Sequence, residues 1–420
     1  MNEDPAILLT PPGQELLARL AAEPDGGSLA VAERLRREYP AGLVATAMAQ
    51  RELRLAAEAK FSRAAQMLFT RAGLEQSSSE AIARYRGGRL GHASRIADLC
   101  CGIGGDLIAL AAASDVLAVD RDETHARLAL HNAAVYGEAG HVRAVVADVR
   151  DVRLAGRVDA VFIDPARRAG PGAAAAVPSS TGPSRTGPSR TGRRFRAGTS
   201  EPPLDWCLSL TGQVEAVCIK AAPGIPVELI PRDWEAEFIA EARDLKEAVL
   251  WSPSLASAPD GAHGPRRATV LTTSAPGHAS SRTLVAHEGD PVPLREPGEY
   301  LLDPNPAVTR AGLVEDLARD LGGDIAKIDP HIAFLTLDRD VRTPFARTLR
   351  VEHSAPWHEK QFAKRLRELD VGAVDIRRRG LAGDVDQIRR RLKLAGKTRA
   401  TIVITRVNDK PWGLICTDPA

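Results

Sequence analysis

Between residues 96 and 271 the chain alternates short apolar runs with longer amphipathic stretches, and no other feature limits the fold as much. The runs lie at 96–99, 116–119, 142–146, 158–163, 214–219, 248–251 and 269–271. Each has strand length and is rich in Val, Ile, Leu or Ala on successive positions, the mark of a strand buried on both faces. The stretches between them have helical spacing and supply the layers that do the burying. The pattern predicts an α/β unit over 93–275, a doubly wound sheet of six or seven strands.

The flanks read differently. Residues 6–85 carry apolar positions at helical spacing (Leu16, Leu17, Leu20; Leu35, Leu43, Ala47, Leu53), so a helical domain is expected over 1–92. Ser77 and Glu80 have the spacing of a capping box, and Gly87-Gly88 reads as the break after that helix. Over 276–420, helical patterns near 311–321, 358–369 and 385–394 alternate with apolar runs near 332–337, 347–352, 371–376 and 401–407, which predicts a second, smaller α/β domain. The stretch 170–203, with its Ser-Arg-Thr-Gly-Pro-Ser-Arg-Thr-Gly repeat, has too few large apolar residues to offset its ordering entropy and is expected to be a disordered insert.

Aromatics make up only 4% of the chain, so the core must be aliphatic. Net charge is +2, which excludes a polybasic protein, but 350–410 holds 16 Lys and Arg against 8 Asp and Glu and is locally basic. The triplets Arg377-Arg378-Arg379 and Arg389-Arg390-Arg391 carry much of that charge. Five irregularly spaced cysteines, Cys100, Cys101, Cys207, Cys218 and Cys416, read as buried thiols of a reducing, cytoplasmic compartment. No CxxC pair occurs, and His353 and His358 have no carboxylate or cysteine at ligand spacing, so no metal is expected. The acidic start Met1-Asn2-Glu3-Asp4-Pro5 does not resemble a signal peptide. No apolar run approaches the ~18 residues of a membrane span, so none is expected.

Chemistry concentrates at the ends of the predicted strands. Asp98-Leu99-Cys100-Cys101-Gly102-Ile103-Gly104-Gly105-Asp106 follows the first strand and precedes a helical stretch. Glycines at such a turn let a ligand approach the backbone. Leu107 breaks a GxGxxG pattern, and no Gly-Lys-Ser/Thr follows, so neither a dinucleotide fingerprint nor a P-loop is present. The second strand ends in Asp120, about 20 residues on, where a carboxylate can accept ribose hydroxyls. The third ends at Asp148, placed to meet an adenine amino group, and the fourth at Asp164-Pro165-Ala166-Arg167-Arg168. Lys220 closes the fifth.

This order of motifs resembles class I S-adenosylmethionine-dependent methyltransferases. Cys101 directly before Gly102, and the segment Leu130-His131-Asn132-Ala133-Ala134-Val135-Tyr136-Gly137, resemble the RNA-modifying members similar to trimethylguanosine synthase. The whole chain resembles bacterial methyltransferases with a C-terminal THUMP-like domain. The resemblance implies a Rossmann-like seven-stranded core, an S-adenosyl-L-methionine cofactor and an RNA partner. It also implies site roles. Asp98 and the backbone of Gly102, Gly104 and Gly105 would hold the methionine part, Asp120 the ribose, and Asp148 with the backbone of Val149 the adenine, with Cys100 and Arg121 as further cofactor contacts. Asp164, Pro165, Ala166 and Arg167 would hold the acceptor, with Arg168 and Lys220 as further substrate contacts.

The acceptor loop departs from the Asn/Asp/Ser-Pro-Pro-aromatic pattern of amine methylation, because Ala166 and Arg167 take the last two places. Asp164 can still accept from an amine, and a guanidinium can stack on a base or bind a phosphate. Uracil-C5 chemistry would need a nucleophilic cysteine, for which Cys207 and Cys218 are the candidates. Three readings remain at this stage: an RNA methyltransferase acting on an exocyclic amine, a methyltransferase of small molecules or proteins, and a non-catalytic RNA-binding module.

Overall fold

The structure, a computed structural model, describes residues 4–23, 28–167, 200–260, 264–381 and 384–419. Arg168 and positions 170–199 of the expected insert lie outside them.

The central sheet is formed by β1 (Arg95–Leu99), β2 (Asp115–Asp120), β3 (Val142–Val146), β4 (Ala160–Ile163), β5 (Ala216–Ala221), β6 (Glu235–Glu241), β7 (Asp244–Trp251), β8 (Arg266–Ala275) and β9 (His278–Val285). Its spatial order is β3-β2-β1-β4-β5-β7-β6-β8-β9. β1 to β5 are parallel, β7 runs antiparallel between β5 and β6, and β9 closes the edge antiparallel to β8. The expected seven strands are therefore present in Rossmann-like order and extended by two. The order reverses between β1 and β4, so a crevice opens beyond the carboxyl ends of those strands.

Two strands differ from expectation. β3 was predicted buried, yet as the sheet edge it leaves Val145 and Val146 exposed. β6 was not expected, because its alternate positions Glu235 and Glu237 read as surface. Both are buried, held by ion pairs to Arg89 and Arg267.

The N-terminal segment is helical as expected: α1 (Pro11–Ala22), α2 (Leu29–Leu35), α3 (Ala41–Ala57), α4 (Arg71–Gln76) and α5 (Glu80–Leu90). Gly87-Gly88 does not end α5 but lies within it. A β-carbon at Gly87 would come within 3.1 Å of the Ala109 carbonyl, so glycine allows α5 to lie close against α6 (Leu107–Ala111). The Ser77–Glu80 capping box does not form either. Ser77 Oγ donates to the Leu74 carbonyl, and Glu80 Oε2 accepts from the Ser62 amide and the Tyr136 hydroxyl. α7 (Glu123–Tyr136) starts where Asp122 accepts from the Thr124 and His125 amides and stops at Gly137 in the left-handed region. Its buried Asn132 bonds both Leu68 and the Ile103 carbonyl, tying the N-terminal helices to the glycine-rich turn.

The second sheet contains β10 (Tyr300–Pro304), β11 (Ala326–Lys327), β12 (Leu335–Leu337), β13 (Ala346–Pro356), β14 (Val371–Arg378), β15 (Thr398–Val407) and β16 (Lys410–Thr417), in the order β11-β12-β10-β13-β16-β15-β14. The expected boundary at 275/276 falls inside the β8–β9 hairpin. Moreover, one apolar core runs from Ala97 and Phe238 through Val270 to Val308, Leu317 and Leu337. Asp303 strengthens this junction by accepting from Arg243 of the first sheet's β6–β7 turn and from Arg379 after β14. At the insert's far end, residues 200–203 are ordered, because Ser200–Glu201 pairs with Ala166–Arg167.

Candidate active site

The carboxyl ends of β1, β2, β4 and β5 border one cleft of about 1280 Å³. This exceeds the ~300–1,000 Å³ typical of a single small-molecule site, so a cofactor and an acceptor fit together. Asp98, Cys100, Gly102, Gly105, Asp120, Arg121, Asp148, Val149, Asp164, Pro165, Ala166 and Lys220 all line it.

The turn after β1 is set by three positive φ angles: Cys100 (61°), Gly102 (53°) and Gly104 (84°). At Gly104 a β-carbon would lie 3.0 Å from Ala129 Cα of α7, so both conformation and space require glycine. Gly104 serves the packing of the turn rather than its lining. The Gly102 amide donates to Asp120 Oδ2 at 2.9 Å, and the Asp122 amide to Asp120 Oδ1 at 2.9 Å. Burial opposes the Asp120 charge, but His125, 3.8 Å away, and these two amides outweigh it and hold the carboxyl below its ordinary pKa. Asp120 thus braces the turn as well as facing the cleft.

Asp98 is fully buried, and neither carboxylate oxygen has a hydrogen-bond partner among the described residues. Burial, with the charges of Asp106, Asp164 and Asp120 adding to it, pushes its pKa well above the usual range. A buried carboxylate without a partner is costly unless something completes it. The ammonium of a bound amino acid moiety is such a group. Asp148 is the opposite case: Arg150 binds it through both the side chain and the backbone amide and lowers it to about 2. Arg150 also reaches Glu201 Oε1 at 3.0 Å, linking the Asp148 turn to the Ala166–Arg167 ladder. The Val149 side chain points into the core, so only its backbone is on offer to a ligand.

Asp164 leaves β4 in extended chain and caps no helix. Its Oδ2 accepts from Lys220 Nζ at 2.6 Å, whereas Oδ1 has no hydrogen-bond partner among the described residues. Lys220, expected to touch substrate, lines the cleft and is bonded to the Asp164 carboxylate. Burial raises every thiol above its ordinary range, Cys207 to about 12, so neither Cys207 nor Cys218 is poised as a nucleophile.

Sequence reading missed several residues of the cleft. Lys60 of the N-terminal segment donates to the Leu74 and Ser77 carbonyls at 2.7 and 2.8 Å and fixes the loop 75–79 as one wall. Asp106 and Glu247 meet there through the buried Arg86, which binds both. Asp106 ends the glycine-rich motif but carried no role of its own there, and Lys60, Arg86 and Glu247 had no local signal because their partners lie in other elements. In the C-terminal region, the arginine triplets are partly engaged in local pairs: Arg377 with Asp375, Arg379 with Asp303, Arg389 with Asp386 and Arg391 with Glu359. Lys393, Lys397 and Arg399 are exposed and have no carboxylate partner among the described residues. Among these residues there is also no group of side chains able to hold a metal, and no helix is long and apolar enough to cross a membrane.

A doubly wound sheet that reverses at β1/β4, with a glycine-rich turn and strand-end carboxylates around one cleft, defines a methyltransferase-type nucleotide-cofactor fold. The comparisons with known proteins agree. The family model for RNA cap guanine-N2 methyltransferase matches 93–171, that for a THUMP domain-like unit 346–418, and that for a domain of unknown function 3–57. An uncharacterized S-adenosylmethionine-dependent methyltransferase of Mycobacterium tuberculosis, found in strains CDC 1551 and H37Rv, is 35% identical over 349 residues, covering 81% of this chain and 85% of the relative. A Porphyromonas gingivalis W83 crystal structure described as a methyltransferase superposes with a TM-score of 0.69 at 20% identity, covering 91% of this chain and 92% of that one, and so shares the fold. The chain belongs to the S-adenosylmethionine-dependent methyltransferases.

Proposed function

We propose that this enzyme methylates a base of RNA, at an exocyclic amine. The observation that carries the reading is Asp164. It lines the cleft together with Asp98 and Asp120, with Oδ2 held by Lys220 and Oδ1 open to an N–H donor. Supporting it are the RNA cap guanine-N2 methyltransferase match over 93–171 and the THUMP domain-like match over 346–418. Exposed Lys393, Lys397 and Arg399 offer the phosphate contacts such a substrate needs.

The residues fit the cofactor. Asp98 would pair with its ammonium, the turn 102–105 would take its methionine part against backbone, Asp120 would accept from the ribose, and Asp148 with the Val149 amide would bind adenine. When bound, the cofactor supplies an electrophilic methyl group. Asp164 then accepts a hydrogen bond from the acceptor amine and aims the nitrogen lone pair at that methyl. Asp164 would also take the proton shed by the acceptor nitrogen and pass it on to water. Orientation supplies most of the rate.

The test is methyl transfer from radiolabelled cofactor into total RNA from a bacterial strain lacking the gene, followed by nucleoside analysis. Label in an N-methylated base, lost in Asp164→Ala, supports the reading. Label only in protein or small molecules, or no transfer despite cofactor binding, rejects it.

A further inference from the structure

The Lys220–Asp164 contact is one link in a row of alternating charges that runs through the floor of the cleft. Lys220 Nζ lies 2.6 Å from Asp164 Oδ2 and 3.9 Å from Asp106 Oδ2, and its side chain is only 11% exposed. Asp106 is bound by Arg86, which also binds Glu247. Ser78 closes the row, donating to Glu247 Oε2 at 3.1 Å and accepting from Arg86. The Arg86 guanidinium lies over the ring of Phe162, two residues before Asp164 on β4.

Burying such a row costs desolvation at every member, and well-packed apolar side chains would fill the space at no greater cost. What the row does provide is a fixed place for one ammonium. Its far end is anchored on α5, which packs against the sheet, and on β7, a strand of that sheet. Attraction to Asp106, 3.9 Å away, therefore opposes the ammonium following Asp164 if that side chain turns. In the absence of the ammonium, Asp164 would face the carboxylates of Asp98, Asp106 and Asp120 and would turn toward solvent.

Resting on the reading of Asp164 given above, we infer that Lys220 is a positioning residue for methyl transfer: its ammonium, held by Asp106, fixes Asp164 Oδ2 so that Oδ1 receives one N–H of the acceptor. Lys220 makes no contact with substrate in this arrangement.

The test compares Lys220→Met, Lys220→Gln and Lys220→Arg with the unaltered enzyme in three measurements: cofactor affinity by calorimetry, kcat and KM for RNA methylation, and crystal structures with S-adenosylhomocysteine bound. For Met and Gln the expected result is a kcat lower by roughly 100-fold, the scale of losing one oriented polar group at a reacting centre. Cofactor Kd and RNA KM should stay within about threefold, and the Asp164 carboxylate should be turned away in the crystal. Arg should recover roughly tenfold of the lost kcat, since it restores the charge in an altered shape. A normal kcat with Asp164 unmoved overturns the inference, as does a loss confined to KM. If the unaltered enzyme transfers no methyl to RNA, the acceptor reading fails separately. The crystal structures then decide: Asp164 unmoved in Lys220→Met or Lys220→Gln overturns the positioning role, and Asp164 displaced upholds it.

Discussion

Asp98→Asn should make the cofactor-free protein more stable while weakening cofactor binding. The Asp98 carboxylate is fully buried with both oxygens unpartnered, and its pKa is raised by burial and by Asp106, Asp164 and Asp120. In the unfolded chain the same group titrates near ~3.9. Between that pH and the raised folded pKa, the folded state holds a proton that the unfolded state has released. The wild type therefore loses about 1.4 kcal/mol of stability per pH unit from this group as pH rises through the window. Below about pH 4 the carboxyl is protonated in both states and the loss vanishes. Asparagine removes the titration, so urea unfolding at pH 4, 5, 6 and 7 should show the variant's advantage appearing near pH 4 and growing upward. The effect at neutral pH should reach at least the ~1–3 kcal/mol of an unsatisfied buried polar group. In calorimetry at pH 7, cofactor affinity should fall by roughly 100-fold, equivalent to about 2.7 kcal/mol for a lost charge-assisted contact. A variant less stable than wild type at pH 7, or a stability difference independent of pH, would refute the reasoning about Asp98.

Asp120→Ala should lower both cofactor affinity and stability, the latter by about 2 kcal/mol, because the Gly102 and Asp122 amides lose a charged acceptor; unchanged denaturant unfolding would remove its bracing role. Arg150→Ala should move the Asp148 titration, seen by carbon-detected NMR, up from about 2 toward the ordinary ~3.9. Asp148's own contribution to stability is present above about pH 4 and lost as pH falls through 2, so an unmoved titration would show that Arg150 is not its cause. Replacing Lys393, Lys397 and Arg399 together with Gln should flatten the dependence of log affinity for RNA on log salt by up to about 2–3. An unchanged slope in a fluorescence-anisotropy titration would place the phosphate contacts elsewhere.

How far the fold could be read depended on what each strand is buried against. β1, β2, β4 and β5 lie between helical layers and carry continuous apolar runs, so they were legible. β6 was not, since Glu235 and Glu237 are buried only because Arg89 and Arg267 meet them from other elements. β9 is a polar edge strand with almost no apolar signal. Gly87-Gly88 looked like a break because local propensity cannot show that Ala109 will press on that face of the helix. In the site, strand-end carboxylates were readable from their place in the pattern, as were glycines at the turn. Lys60, Arg86, Asp106 and Glu247 were not.

The sequence by itself determined the class of the core and the edge on which ligands bind. A strand that ends in an acid places that acid at the carboxyl rim whatever the rest of the chain does. Only the tertiary structure decided what each acid is. Asp98 is left buried and unpartnered, Asp120 becomes a brace, Asp148 is neutralised by Arg150, and Asp164 is held by a lysine that sequence reading had assigned to the substrate. The physical reason is that a carboxylate's state depends on burial and on charges within a few ångströms. Arg150 is a sequence neighbour of Asp148, but Gly102 reaches Asp120 and Lys220 reaches Asp164 from other elements, and the burial of each acid is set only when the sheet closes.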